Sequence, residues 1–405
     1  MLYTRSSKTV LRAALATVLL LCCSSTLWSA GLDPQACHRI KVDRFDSPLW
    51  MVSGAWDGDS ILWIDAARGE IQRVAANGEI ELADVPTHQA LVAAQPRLQG
   101  PSYIWNRPTG FQVEYKAPAQ IFNLGAQLEE VSAFNVEQSA NKAAGVSVLA
   151  TYGIAPFASG GFLSFADIIE ASAPNPPNSA FVHMQASGDL QVYGDIPVGN
   201  ESKNQDKISV NARVRDQYTR YYMPYLTTIK DDGFILFLNE KPTLAKVGTD
   251  GSLTHLPKFP EEFQHRPVLS RNRELRFDYP EQELEFYQQL ESSNLAAGLY
   301  SWGDELFLLG KKTKGSQPAR ADWWMVNINP VTGEQEYKKR LPTHAPHLTV
   351  IPGPRFVALV EKGHVRPITD SQAPYTPIRE MLLVPTPWFE EGVARMAECH
   401  EAVSR

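Results

Sequence analysis

Phe234-Ile235-Leu236-Phe237 is followed by Leu244-Ala245-Lys246-Val247, then by a glycine-containing turn and a third short run ending at Leu256-Pro257. Two apolar strands, a turn and a third strand closed by proline make one antiparallel sheet module. The order recurs. Ile61-Leu62-Trp63-Ile64 is followed by Glu70-Ile71-Gln72-Arg73-Val74 and reaches Val85-Pro86, and Ala180-Phe181-Val182-His183-Met184 reaches Ile196-Pro197. The leading runs begin at Ile61, Phe111, Phe162, Phe234, Leu306 and Phe356, in steps of 50, 51, 72, 72 and 50 residues. A module of this size cannot bury its own faces, so a strand repeat near 50 residues must stack on its neighbours.

The last copy is short of a strand. Beyond Pro342 only the stretches 347–351, 356–360 and 380–384 read as strands. The missing one is available at the other end of the chain, where Arg39-Ile40-Lys41-Val42-Asp43-Arg44-Phe45 alternates polar and apolar residues with a strand's period of two. Pairing it with the final module closes a ring without free edges. The sequence therefore predicts an all-β fold: a six-bladed β-propeller closed by its N-terminal strand, with short added helices. Cys37 precedes that strand and Cys399 follows the final module. A disulfide between them would lock the closure, and the chain-entropy model gives a loop this long roughly 5 kcal/mol. The plainer alternative is two unrelated thiols.

Residues 1–30 have the layout of a secretory signal: Arg5, Lys8 and Arg12, an apolar stretch from Ala13 to Cys23, then small residues up to Ala30. Eleven apolar residues fall short of the roughly twenty that span a bilayer. Leu21 before Cys22 disfavours a lipoprotein. The remaining 31–405 is expected to be a single propeller domain, exported to a periplasmic or extracellular space and monomeric. Without the signal the formal charge moves from −7 to −10, with 35 basic and 45 acidic residues. A mildly acidic surface without basic clusters gives no footprint for nucleic acid, and no other segment is long and apolar enough for a stable membrane span.

The two long steps place insertions near 198–221 and 258–294, each between the last strand of one blade and the first of the next. In a propeller such connections share a rim with the loops joining second and third strands, so both point to a lid or partner-binding platform over one mouth of the channel. Within the second, Pro280 suits a first helical position, with Leu284, Tyr287 and Leu290 near one face. A C-terminal helix is predicted over 388–400.

Three sets of residues are candidates for chemistry. Arg220, Tyr221 and Tyr222, with Trp50 similarly placed in the first blade, combine broad apolar area with polar tips, a composition suited to ligand binding. The plain reading is packing between blades. His344, His347 and His364 gather in the sixth blade. Three imidazoles with an open position would suit zinc or copper, and a neutral histidine would serve equally as acid or base. Separate exposed or capping histidines are the bland alternative. The third set comes from a likeness. Asp46-Ser47-Pro48-Leu49-Trp50, followed by Ile61-Leu62-Trp63-Ile64-Asp65 and Ile71-Gln72-Arg73-Val74, resembles the opening of the SMP-30/gluconolactonase family, within a superfamily of six-bladed propellers that also includes TolB-like chains. That resemblance covers about forty residues of the 405. It implies a divalent metal as cofactor, with Asp46 at the position of the family's glutamate ligand. Gly-x-Ser-x-Gly, phosphate-cradling glycine loops and His-Glu-x-x-His are absent. The leading expectation is a propeller binding a protein or small-molecule ligand at the rim that bears the insertions. The rival is a metal-dependent hydrolase of the lactonase type, so whether the chain is an enzyme stays open here.

Overall fold

The computed structural model describes residues 32–33, 35–48, 53–65, 69–75, 77–85, 89, 101–107, 109–115, 120–136, 146–170, 173–185, 187–193, 225–238, 242–248, 252–263, 291–313, 320–364, 366–367, 374–390 and 399. Their strands form six antiparallel sheets. Blade one is β2 (Gly54–Asp57), β3 (Ser60–Asp65), β4 (Glu70–Val74) and β5 (Ile80–Leu82). Blade two is β6 (Pro101–Arg107), β7 (Gly110–Tyr115), β8 (Gln120–Leu124) and β9 (Glu130–Asn135). Blade three is β10 (Val146–Pro156), β11 (Phe162–Glu170), β12 (Ala173–Met184) and β13 (Leu190–Tyr193). Blade four is β14 (Tyr225–Ile229), β15 (Asp232–Phe237), β16 (Thr243–Val247) and β17 (Leu253–His255). Blade five is β18 (Leu295–Trp302), β19 (Glu305–Thr313), β20 (Ala321–Ile328) and β21 (Gln335–Arg340).

Blade six closes the ring. Its order is β22 (His347–Ile351), β23 (Phe356–Lys362), β25 (Pro374–Pro385) and, outermost, β1 (His38–Pro48), with the two-residue β24 (Arg366–Pro367) beside β25. The expected N-terminal strand thus pairs with the last blade, His38 opposite Leu383 and Lys41 opposite Glu380. Cys37, just before β1, is bonded to Cys399, with the two Cα atoms 5.6 Å apart. Near the C-terminus the described residues include the short α1 (Pro387–Glu390). Residues 391–398 and the predicted helix from Pro280 lie outside the described residues.

First strands touch first strands around the ring: β2 with β6, β6 with β10, β10 with β14, β14 with β18, and β22 with β2. They line the channel, and fourth strands lie outside. This explains the pattern that revealed the repeat. Second strands are covered on both faces by neighbouring blades and so read as unbroken apolar runs. Phe234, Ile235 and Leu236 of β15 are no more than 1% exposed, whereas all of β17 is exposed. Among the described residues the buried side chains form six clusters, one for each seam between blades. At the last seam Phe307, Trp323 and Met325 of blade five meet Leu348, Val357 and Leu382 of blade six. Full burial of each such side chain contributes roughly 1.5–3 kcal/mol.

Polar bonds stitch the same seams, because splayed first strands cannot pair their backbones directly. Ser53 Oγ donates to the Ile104 carbonyl and accepts from the Ile104 amide, both at 2.9 Å, with a separation of 51 residues. Asn106 accepts from the Trp56 amide at 2.8 Å, 50 residues away. Ser301 Oγ donates to the Thr228 carbonyl at 2.6 Å across 73 residues, and the Val350 amide donates to the Tyr300 hydroxyl at 3.3 Å across 50. The separations of these partners match the steps of the repeat to within one residue.

The turn between third and fourth strands also repeats. Ala75 N bonds Glu79 O and Gly78 N bonds Ala75 O, each at 2.9 Å, and Gln185, Gly188 and Asp189 reproduce the pair in blade three. Gly78 (φ 87°) and Gly188 (φ 86°) take the left-handed position, where glycine meets no Cβ penalty. In blade two the same position is Leu128, at φ 65° and only 3% exposed. The burial of its side chain in the first seam offsets a backbone cost of about 1–2 kcal/mol.

Candidate functional site

The connection from β17 to β18 is pinned to blade five at its start. A single 3₁₀ turn, Glu261–Phe263, buries Phe263 completely against Gly310, where an added Cβ would lie 2.3 Å from the ring. Glu262 pairs with Lys338 at 2.9 Å and with Lys312. Both ammonium groups also lie over Trp324, within 5.9 Å of its ring centre. The two lysines hold the Glu262 carboxyl below its usual range against an opposing effect of burial.

At its other end the connection delivers Glu291, four residues before β18. His347 Nε2 lies 2.9 Å from Glu291 Oε1, and His364 Nδ1 lies 3.0 Å from Oε2. One carboxylate thus bridges two histidines of blade six. Lys311, near the end of β19, donates to the Glu291 carbonyl at 2.8 Å, and its ammonium lies 5.8 Å from the ring centre of Trp323. Lys362 closes β23 directly opposite His347 in the β22–β23 register, so the two side chains leave the sheet on the same face. First strands begin and second strands end on the rim that carries the connections between blades. All five groups therefore belong to that rim, at the seam of blades five and six.

Burial sets the protonation of this cluster. Glu291, Lys311 and Lys362 are no more than 4% exposed, while the His347 and His364 side chains are 13% and 46% exposed. Desolvation penalises a buried cation. Burial pushes Lys362 down to about 7 and Lys311 to about 8, the latter opposed by the Glu291 charge. Burial likewise lowers His347 to about 4, opposed by its bond to Glu291 and reinforced by the charges of Lys311 and Lys362. His347 is therefore a neutral imidazole at pH 7. A buried neutral histidine beside an amine that titrates near pH 7 is equipment for moving protons.

The candidates read from sequence are distributed as follows. His347 and His364 come together on Glu291. His344 turns elsewhere: its Nδ1 lies 3.2 Å from the Ala321 carbonyl and 3.3 Å from Asp322, which also pairs with Arg340 at 2.6 Å. Asp46 belongs to the outermost strand of blade six, opposite Pro377, with two strands between it and β22. Among the described residues no three His, Cys, Asp or Glu side chains form a metal-holding group. Trp50, Arg220, Tyr221 and Tyr222 lie outside the described residues. Tyr225 opens β14; burial, then Glu114 and Tyr225, push up the Tyr103 hydroxyl, and burial pushes up that of Tyr300, opposed by its bond from the Val350 amide and reinforced by Tyr225. Trp302 packs in the seam, stacked on Phe307 with ring centres 3.6 Å apart.

Glu291, Lys311 and Lys362 escaped the sequence reading. One signal was available: Lys311 and Lys362 stand one repeat step apart, 51 residues, each closing an apolar second-strand run.

No protein-family model matches the chain, and no curated protein matches its sequence. Among solved structures it is similar to a streptogramin B lyase, at TM-score 0.41 and 11% identity over 86% of this chain and 98% of that one. It is also similar to a protein assigned as a gluconolactonase, at 0.43 and 8% over 87% and 94%. A third likeness is to a protein described as exported from Bacteroides fragilis, at 0.42 and 11% over 86% and 94%. Likenesses this distant carry no activity across, and the chain is placed by its own strand order: a six-bladed β-propeller.

Proposed function

We propose that this protein is an exported propeller that binds a small-molecule ligand or protein partner at the rim carrying the long connections, over the seam of blades five and six. The observation that carries the reading is the cluster of Glu291, His347, Lys311 and Lys362, with the exposed His364 joined to it, on that rim at the end of a long connection. Burying ionisable groups is costly for a fold, and such groups gather where a ligand or reaction needs them. The Cys37–Cys399 bond supports export, since disulfides persist in oxidising compartments. The reading of a metal-dependent lactonase has no supporting group among the described residues. A thermal-shift screen of small molecules against the purified chain tests the binding reading. It expects at least one ligand whose stabilisation is lost in His364→Ala. A screen without such a ligand, or one whose hits stabilise His364→Ala equally, would overturn it.

A further inference from the structure

We propose that Lys362 is a carbonyl-reactive amine served by an acid–base array of His347, Glu291 and His364, so that this rim takes up a small aldehyde or ketone as an imine. The inference rests on the binding reading and adds a reaction to it. An amine that attacks a carbonyl has to be neutral, screened from bulk water and close to a proton carrier. Burial supplies the first two conditions: Lys362 is 4% exposed, and with its pKa lowered to about 7 about half of it is neutral at pH 7.

His347 supplies the third. It faces Lys362 across the ladder, and Glu291 Oε1 accepts from its Nε2 at 2.9 Å. A neutral ring that donates from Nε2 keeps an unprotonated Nδ1 able to accept and pass on a proton. The other oxygen of the same carboxylate accepts from His364 Nδ1 at 3.0 Å, and the His364 side chain is 46% exposed. An imidazole–carboxylate–imidazole row thus runs from the part-exposed His364 to His347, the cross-strand neighbour of Lys362. Lys311, from β19, faces the same point and holds the Glu291 carbonyl. With Glu291 and Lys362 it completes the charged groups acting on His347.

In the reaction the Nζ lone pair forms a C–N bond while the carbonyl π electrons move to oxygen. One proton passes from nitrogen to that oxygen by way of His347, giving a carbinolamine. The nitrogen pair then forms C=N as the hydroxyl takes the remaining N–H proton, relayed through the neutral ring of His347, and leaves as water. The sum is amine plus carbonyl to imine plus water, with no oxidant or reductant.

The test treats the full chain with propionaldehyde and sodium cyanoborohydride, whose hydride fixes the imine as a secondary amine, and maps the adduct by peptide mass. At pH 7 the neutral fraction of Lys362 exceeds that of an ordinary lysine by about a thousandfold. Lys362 is therefore expected to be labelled first, at a rate that rises through pH 7 and levels above it. His347→Gln should slow that labelling at least tenfold without changing the label on surface lysines. Label confined to exposed lysines overturns the proposal, as does a Lys362 profile still climbing at pH 9, which needs no variant. Equal labelling in a folded His347→Gln does the same. A rim that binds ligands in the thermal-shift screen yet gives no adduct at Lys362 keeps the binding reading and removes this one.

Discussion

Replacing Lys362 by methionine should stabilise the protein, and by an amount that depends on pH in a definite way. Methionine keeps the length and apolar character of the lysine stem without its charge. In the unfolded chain the amine titrates near 10.5, and in the fold burial lowers it to about 7. Between these values the unfolded state binds a proton that the native state does not, so stability rises with pH across the window. Below pH 7 the full cost of burying the cation is present, about 4–5 kcal/mol at 1.36 kcal/mol per pKa unit. Urea unfolding of the native chain and of Lys362→Met, measured at intervals from pH 6.5 to 10, reads this directly. The native chain should gain about 1.4 kcal/mol per pH unit more than the variant does, and the two stabilities should converge near pH 10. Parallel curves, or a variant less stable than the native chain at pH 7, would refute the assignment of a buried, proton-shedding amine.

Acid should act through His347 in the opposite part of the scale. Its pKa is lowered from 6.5 to about 4, so stability is lost as pH falls from 6.5 towards 4, by about 3 kcal/mol, and His347→Gln should lack that share of the loss in acid titrations followed by circular dichroism. Gly310→Ala would drive a methyl to within 2.3 Å of the Phe263 ring. A cost of about 1–3 kcal/mol is expected, with faster proteolysis after residue 263, and an unchanged melting temperature would count against the pinned turn. Cys37→Ser should lower stability by up to about 5 kcal/mol, since the bond closes a loop of 362 residues, as read from the denaturant midpoint under non-reducing conditions.

The propeller was legible because burial on both faces leaves a plain trace. Runs such as Phe356-Val357-Ala358-Leu359 have nowhere to put a polar residue, and the alternation in Arg39–Phe45 marks a strand with one covered side. Blade three was harder. β12 runs from Ala173 through Pro174, Pro176 and Pro177, a composition that reads as loop because proline cannot donate to a ladder. The strand persists there because β13 does not begin to pair until Phe181, leaving β11 as its strand partner over that stretch among the described residues.

The site was half legible. Histidines clustered in one blade pointed to a rim, and His347 and His364 do converge. Their partner could not be read, because Glu291 precedes His347 by 56 residues and belongs to a connection outside any repeat unit. Nothing in its neighbours announces that the fold carries it under blade six. Nor does local sequence separate His344 from His347. The difference is that Asp322 and the Ala321 carbonyl stand beside one and Glu291 beside the other.

The ring is closed by a strand that is made long before the strand it pairs with. β1 precedes its partner β25 by more than three hundred residues, with His38 facing Leu383. Until the sixth blade is made, β1 is an unpaired edge, the kind of surface that recruits foreign strands and seeds aggregation. The lag lengthens with every blade. A helper that shields an alternating strand during synthesis would protect this chain more than one that acts on finished blades. Oxidation of Cys37 with Cys399 then marks the moment when the strand no longer needs shelter.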